Sequence, residues 1–175
     1  SWIMGESFIQ DHARRSVTPE RLANVILDDL AFNSKDYYDL TEQGRRNRLR
    51  VVAAAALGDY DLDVVRMRGL TDATNGVFRL DTSDGARYAM RVGLGPPVGH
   101  SPEEFASEME WIHALARGTD VVVPDPVPTR TGRYMTFAGV PDVPHQRPCA
   151  VFTWLEGPQL ADRLSETSMH AYGAT

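Results

Sequence analysis

The spacing of apolar residues predicts helices in the first sixty positions. The stretch 18–20, Thr-Pro-Glu, gives a cap residue, a proline and an acid in the order typical of a helix start, so we expect a helix to about Leu30. A second helix is predicted to begin near Thr41 and to end at Gly58. It carries apolar residues at helical spacing: Leu49, Val52, Ala53, Ala56 and Leu57.

After Asp63 the pattern changes to short apolar or alternating runs broken by turn residues. The runs 64–69, 76–82 and 86–92 are predicted strands. The stretch 83–85, Ser-Asp-Gly, predicts a hairpin that joins the second strand to the third.

A third helix is predicted from Ser101. Glu104 follows Ser101 by three positions and Pro102 stands first in the helix, which together form a capping box with proline at its preferred place. Gly118 is the predicted C-cap.

The rest of the chain predicts two more strands. The proline-rich stretch 121–129 is expected to cross a sheet edge in extended form. The runs 133–139 and 149–155 are predicted strands, separated by the loop 141–148. Three strands, a helix and two strands predict an α+β fold, a five-stranded antiparallel sheet with one packed helix.

Two glutamates of the third helix have different expected surroundings. Glu108 falls within the apolar stripe of the helix and Glu110 projects to the opposite side. Arg91, in the middle of the third strand, faces away from Tyr88, Met90 and Val92. In one alternative, the aliphatic parts of Glu108 and Arg91 pack while the carboxylate and the guanidinium reach water. In the other, the two side chains form an ion pair between the helix and the strand. The stripe consists of Phe105, Met109, Ile112 and Leu115.

Charge and composition exclude several classes of function. The net charge is −6 and the pI is near 5.3, so no nucleic-acid partner is expected. The basic cluster of Arg45, Arg46, Arg48 and Arg50 is interpreted as a solvated helical face in preference to a phosphate-binding patch. Cys149, the single cysteine, lies in an apolar run and is interpreted as a core residue in a reducing compartment.

Membrane and metal sites are not expected either. The chain has no apolar run near 18 residues and no signal-peptide pattern, so we expect a cytoplasmic protein. The aspartates 59, 61 and 63 resemble the start of a calcium loop, but Val64 stands where glycine is required. The five histidines lack ligand spacing.

Four stretches in consistent order, 70–92, 100–115, 123–134 and 147–157, resemble the N-lobe of the aminoglycoside phosphotransferase/choline kinase-like family. The resemblance covers about residues 51–164. It implies a protein-kinase-like fold and an ATP-dependent phosphotransferase for a small hydroxylated molecule. The implied cofactor is ATP, or another nucleoside triphosphate, with Mg2+.

The resemblance assigns the loop between the first two strands to the ATP phosphates. This loop has no G-x-G-x-x-G run, so phosphate contacts would rest on polar side chains and backbone N–H groups. The matched positions are Leu70, Thr71, Thr74, Asn75 and Gly76.

The resemblance also assigns the adenine and phosphate contacts. Val77 and Ala89 match apolar positions around the adenine. Arg91 matches the basic residue that holds the phosphates, where lysine is more usual, and Glu108 matches its helix partner. The matched hinge, whose backbone would meet the adenine edge, consists of Thr153, Trp154, Leu155 and Glu156.

The catalytic part of such a kinase is not found in the sequence. None of the five histidines begins an H-x-D triplet, so no catalytic residue is assigned and the chain alone is predicted inactive. We expect a helical extension at 1–60, a nucleotide-binding N-lobe at 61–157, and at 158–175 a linker into a C-lobe that would hold the metal ligands and the acceptor. Such a fragment is expected to expose apolar surface near Trp154 and Leu155 and either to self-associate or to be marginally stable. The alternative is a degenerate or truncated kinase-like module that binds or regulates without catalysis.

Overall fold

The computed structural model describes residues 36–71, 75–95, 99 and 101–157. The helix predicted at 18–30 and the segment predicted at 158–175 lie outside the described residues. The division at 60 and 157 stays a prediction.

The described residues form two α-helices and five strands in the order α1, β1, β2, β3, α2, β4, β5. Short 3-10 helices at Tyr37–Asp39 and Leu57–Asp59 flank the first α-helix. The bounds are α1 Glu42–Ala56, β1 Val64–Thr71, β2 Gly76–Thr82, β3 Arg87–Val92, α2 Pro102–Gly118, β4 Thr136–Ala138 and β5 Arg147–Thr153.

Both helices begin at the caps that the sequence predicts. The Thr41 hydroxyl accepts a hydrogen bond from the Gly44 N–H at the start of α1. Ser101 and Glu104 form the complete capping box of α2. The C-terminal ends of the helices differ slightly from the predicted ones. Helix α1 continues into a 3-10 turn through Gly58, and α2 includes Gly118, with Thr119 as its C-cap.

The five strands form one antiparallel sheet in the order β1-β2-β3-β5-β4. The α+β class and the five-stranded antiparallel sheet predicted from the sequence are confirmed. The proline-rich stretch is extended as expected: Pro126 forms an isolated antiparallel bridge with Phe152, and the Val127 N–H donates to the Val151 carbonyl at 2.8 Å.

The two faces of the sheet are covered by different helices. The α1 face carries Phe78, Leu80, Met90 and Val92, which pack with α1 in one core cluster. The α2 face carries the alternate residues Val77, Arg79, Ala89 and Arg91, together with Ala150 and Phe152 of β5. Phe105 and Met109 of α2 pack on the last two residues. The helix from the expected N-terminal extension therefore covers one face of the sheet.

Two strand boundaries differ from the prediction. The run 133–139 pairs only at Thr136–Ala138, because the Arg133 carbonyl accepts from the Thr129 N–H at 2.7 Å and closes a tight turn just before it. Strand β5 starts at Arg147 and ends at Thr153, earlier at both ends than predicted. Pro148, which suggested a loop, stands inside β5, where its carbonyl accepts from the Gly93 N–H.

The interpretation of the basic cluster as a solvated face was wrong. Arg48 is 8% exposed and forms an ion pair with Asp142. The guanidinium of Arg50 donates to the Met67 carbonyl at 2.9 Å, and that of Arg45 donates to the Leu40 carbonyl at 2.7 Å. These arginines form hydrogen bonds and an ion pair between α1 and neighbouring segments. A helical wheel drawn without the sheet does not show such contacts.

Other expectations about the core and the helices can be compared directly with the structure. Cys149 is fully buried as predicted, and burial raises the pKa of its thiol to about 12. Neither helix in the described part of the chain is long and apolar enough to cross a membrane.

Candidate nucleotide-binding site

Arg91 of β3 and Glu108 of α2 form a two-point ion pair on the α2 face. Nη1 of Arg91 donates to Oε1 of Glu108 at 2.7 Å, and Nη2 donates to Oε2 at 2.6 Å. The side chains are 20% and 34% exposed, so the pair is partly shielded from water. Glu110 is exposed. The ion-pair alternative and the predicted phase of the helix are confirmed.

The guanidinium of Arg91 also lies against aromatic rings. Its Cζ is 4.4 Å from the ring centroid of Phe105 and 5.8 Å from that of Phe152. A planar guanidinium makes a forked pair and stacks on a ring at once, which an ammonium group does not. An arginine at position 91 therefore makes contacts that a lysine would not. Nε of Arg91 is buried and has no hydrogen-bond partner among the described residues.

The two positions predicted to surround the adenine lie beside Arg91 on the same face. Val77 pairs with Arg91 across β2 and β3, and Ala89 precedes Arg91 by two residues on the same strand. Ala89 is also paired with Phe152 of β5. Val77 and Ala89 are half-buried and small, so they form a shallow apolar surface next to the charged pair.

The predicted hinge leaves the sheet directly beyond β5. Thr153 pairs with Tyr88, and Trp154 follows it, half-buried, with its ring centroid 5.5 Å from Cζ of Arg79. Nε1 of Trp154 is buried and finds no partner among the described residues. Leu155 is 44% exposed.

The last hinge residue, Glu156, is exposed and bonded to β3. Its Oε1 accepts from Nη1 of Arg87 at 2.6 Å. The backbone groups of Trp154 and Leu155 make no backbone hydrogen bond to another described residue.

The predicted phosphate loop is described only at its ends. Leu70 is 50% exposed at the end of β1, the backbone of Thr71 pairs with Val77, and Asn75 is half-buried. Thr74 lies outside the described residues. A Cβ on Gly76 would lie 3.1 Å from both Leu49 and Phe78. The close packing of α1 is thus one reason for glycine at this position.

Sequence reasoning missed two polar groups near these residues. Oδ1 of Asp81 accepts from Nε and Nη2 of Arg79 at 2.8 and 2.5 Å, and this hydrogen bonding holds the pKa of Asp81 below its usual value. The i, i+2 spacing of Arg79 and Asp81 on one strand was an available signal. Near the C-terminal half of α2, Asp125 accepts from His113, a contact between segments for which the sequence offers no pattern.

Comparison with known proteins gives matches among solved structures. No protein-family model matches the chain, and no curated protein matches it. A microcompartment-associated aminopropanol kinase aligns with a TM-score of 0.58 and 27% identity, over 71% of this chain and 37% of that one. An amicoumacin kinase, solved in complex with AMP-PNP, Ca2+ and Ami, aligns with a TM-score of 0.51 and 21% identity, over 72% of this chain and 35% of that one.

The chain therefore spans little more than a third of the length of either kinase. Both are small-molecule kinases by name, and the described sheet and helices are consistent with a kinase-like N-lobe. The resemblance to aminoglycoside phosphotransferase-like kinases that the sequence indicates is confirmed by the structure.

Proposed function

We propose that the α2 face is the nucleotide-binding face of an ATP-dependent phosphotransferase for a small hydroxylated molecule. The observation that carries the proposal is the forked ion pair between Arg91 and Glu108, on the same face as Val77 and Ala89. The alignment with two small-molecule kinases, one of them solved with AMP-PNP and Ca2+, supports it.

Arg91 retains donors for a phosphate while it is held by Glu108. A guanidinium has five N–H donors, of which Glu108 uses one on each Nη and burial withdraws the one on Nε. Two N–H donors remain, one on each terminal nitrogen. Because Glu108 fixes the plane of the guanidinium, these donors are oriented before a phosphate arrives, and less side-chain entropy is lost on binding.

The base of the nucleotide would lie between the strands and the hinge. Val77 and Ala89 offer a flat apolar surface for an aromatic ring. Peptide groups at Trp154 and Leu155 would meet the ring edge and select the base by hydrogen bonding. The loop 70–76 would cover the phosphates with backbone N–H groups, as the resemblance implies.

A divalent cation, Mg2+ in our proposal, would neutralise charge on the transferred phosphoryl group when bound. Three or more metal-ligating side chains do not cluster anywhere in the described residues, so the cation would be held by the phosphates and by residues beyond this face. The acceptor, the catalytic base and any phosphotransfer are likewise proposed to depend on residues outside the matched positions.

Nucleotide affinity tests the proposal on the 175-residue chain itself. A fluorescent ATP analogue is titrated against the wild-type chain and against Arg91→Gln in the presence of Mg2+. Loss of one charge-assisted contact is worth about 1.5–3 kcal/mol, so we expect binding at least about tenfold weaker in the variant. Unlabelled AMP-PNP should displace the analogue.

Arg133→Gln is the matched control. It removes the same charge from an exposed arginine that precedes β4 and belongs to neither β2 nor β3. We expect its affinity to equal that of the wild type. Equal affinities for wild type and Arg91→Gln would contradict the proposal, as would failure of both to bind at millimolar nucleotide.

The second candidate function is a kinase-like module that binds nucleotide without transferring phosphate. The absence of any H-x-D triplet from the 175 residues favours it for the chain on its own. We expect this chain to bind ATP and to hydrolyse none. Turnover of ATP that is abolished by Arg91→Gln would reject this second candidate.

A further inference from the structure

Asp125 joins the C-terminal half of α2 to the extended stretch that precedes β4. Its Oδ1 lies 2.7 Å from Nδ1 of His113, which must carry the proton because a carboxylate oxygen only accepts. Its Oδ2 accepts from Nε of Arg117 at 2.9 Å. The Asp125 side chain is 19% exposed, whereas that of Arg117 is 72% exposed.

The backbone of the same residue holds the end of β5. The Asp125 N–H donates to the Thr153 hydroxyl at 2.9 Å, and the Asp125 carbonyl accepts from the Thr153 N–H at 2.9 Å. Thr153 is the last residue of β5 and the first of the predicted hinge. Asp125 thus contacts the helix through its side chain and the hinge through its backbone.

Helix α2 has no fully buried side chain in its C-terminal half. Its only fully buried residues are Phe105 and Met109, both in the N-terminal half. Further along, Ile112, Leu115 and Ala116 are half-buried, and the ring centroids of His113 and Tyr134 stack at 4.4 Å. The polar contacts to Asp125 are therefore a principal restraint on that end of the helix.

The helix is consequently held to the sheet by two polar anchors. One joins Glu108 to Arg91 of β3, and the other joins His113 and Arg117 to Asp125. Glu108 and His113 are separated by about 7.5 Å along the helix axis. A shift or rotation of α2 as a rigid body would therefore disturb both sets of contacts.

We propose that Asp125 is a positioning residue for the Arg91–Glu108 pair and that it links the hinge to the phosphate-holding arginine. This inference rests on the proposed function only for its effect on nucleotide. The Asp125 carboxylate positions α2, the helix positions Glu108, and Glu108 orients the guanidinium of Arg91. A nucleotide that meets the hinge at Thr153 and Arg91 at its phosphates would contact both ends of this linkage.

The first test needs no nucleotide. The Nε–Hε resonance of Arg91 is recorded by NMR in the wild-type chain and in Asp125→Asn, and amide hydrogen exchange is followed along α2. We expect the Arg91 resonance to shift and exchange to accelerate about tenfold at residues 105–117. Exchange in β1 and β2 should not change.

Asp120→Asn is the control, an exposed carboxylate five residues earlier in the same connection. It should leave the Arg91 resonance in place. If Asp125→Asn frays only residues 113–118 and leaves the Arg91 resonance unshifted, Asp125 merely secures the helix end and the proposal is overturned. If Asp125→Asn does not fold, Arg117→Gln replaces it, because that side chain is mostly exposed, and the same two outcomes apply.

The second test separates this inference from the proposed function. Nucleotide affinity is measured for Asp125→Asn, for Glu108→Gln and for the double variant. If Asp125 acts through Glu108, Asp125→Asn should weaken binding about fivefold in the wild-type background and less than about twofold in Glu108→Gln. Equal losses in both backgrounds would overturn the inference and leave the proposed function standing. A chain that binds no nucleotide would overturn the proposed function, and the Arg91 resonance would still decide the role of Asp125.

Discussion

The α1 face and the α2 face of the sheet are built from the same strands and differ in almost every other respect. On the α1 face, Phe78, Leu80, Met90 and Val92 are at most 1% exposed and lie in a continuous apolar cluster. The residues that alternate with them along the strands lie on the α2 face and are all half-buried: Val77, Arg79, Ala89 and Arg91. One face excludes water and the other keeps charged groups within reach of it.

The difference follows from the period of two along a strand. Alternate residues of β2 and β3 supply the core, which leaves the intervening residues free for binding chemistry without loss of the core. On the α2 face the charges are matched locally, Arg91 with Glu108 and Arg79 with Asp81, so no charge of these pairs is shielded from water without a partner. Such a face keeps its charged side chains in fixed pairs and contributes modestly to stability.

The largest contrast is expected between Leu80→Ala and Val77→Ala. Leu80 is fully buried on the α1 face, so its truncation should cost about 2–5 kcal/mol of unfolding free energy. Val77 is half-buried on the α2 face, so its truncation should cost about 1 kcal/mol. Urea unfolding of both variants gives the comparison, and equal losses would contradict the assignment of the core to one face.

A smaller effect is expected from Glu108→Ala, which leaves the guanidinium of Arg91 without its carboxylate. Because both side chains retain some contact with water, we expect a loss of about 1–3 kcal/mol in unfolding free energy. Glu110→Ala is the matched control on the exposed side of the same helix and should change stability by less than about 0.5 kcal/mol. The reverse order of these two variants would show that the helix phase is wrong.

Arg91→Lys sharpens the contrast further because it keeps the charge. A lysine makes one hydrogen bond to Glu108 where arginine makes two, and it loses the planar stack on Phe105. We expect a loss of about 1 kcal/mol in unfolding free energy by the same measurement. The exposed Arg133→Lys should leave the unfolding free energy unchanged. If Arg91→Lys also leaves it unchanged, the second hydrogen bond and the ring stack contribute nothing to stability.

The smallest effect concerns acid stability through Asp81. Its pKa is depressed in the folded chain by the hydrogen bond from Arg79, so its contribution is present above the unfolded value, near 3.9, and is lost as pH falls through the folded value. Asp81→Asn should therefore lose less stability than the wild type as pH falls below about 4. If the stability of Asp81→Asn falls as steeply with acid as that of the wild type, this role of Asp81 is excluded.

Much of the fold was predictable because its signals are local. The caps at Thr41 and Ser101, the alternation in β2 and β3 and the hairpin at 83–85 are each encoded within a few residues. The Arg91–Glu108 pair was predictable as one of two alternatives, because an arginine in mid-strand and a glutamate in an apolar stripe each need a partner.

The contacts that were missed join distant parts of the chain. Glu156 meets Arg87 over 69 positions, and Arg48 meets Asp142 across the fold. No periodicity links such residues, and the same holds for His113 and Asp125, whose proximity depends on the path of the stretch 121–129. The turn that shortens the predicted strand at 133–139 likewise depends on the Thr129–Arg133 hydrogen bond, which composition does not signal.

The central claim, that the α2 face binds nucleotide, is tested most directly by mapping backbone amide shifts as AMP-PNP and Mg2+ are added to the isotope-labelled chain. The account predicts that the shifts concentrate at residues 77, 89, 91 and 153–156 and that Arg91→Gln removes them. Shifts that concentrate on α1 and the residues of the α1 face, or a spectrum unchanged at millimolar nucleotide, would contradict it.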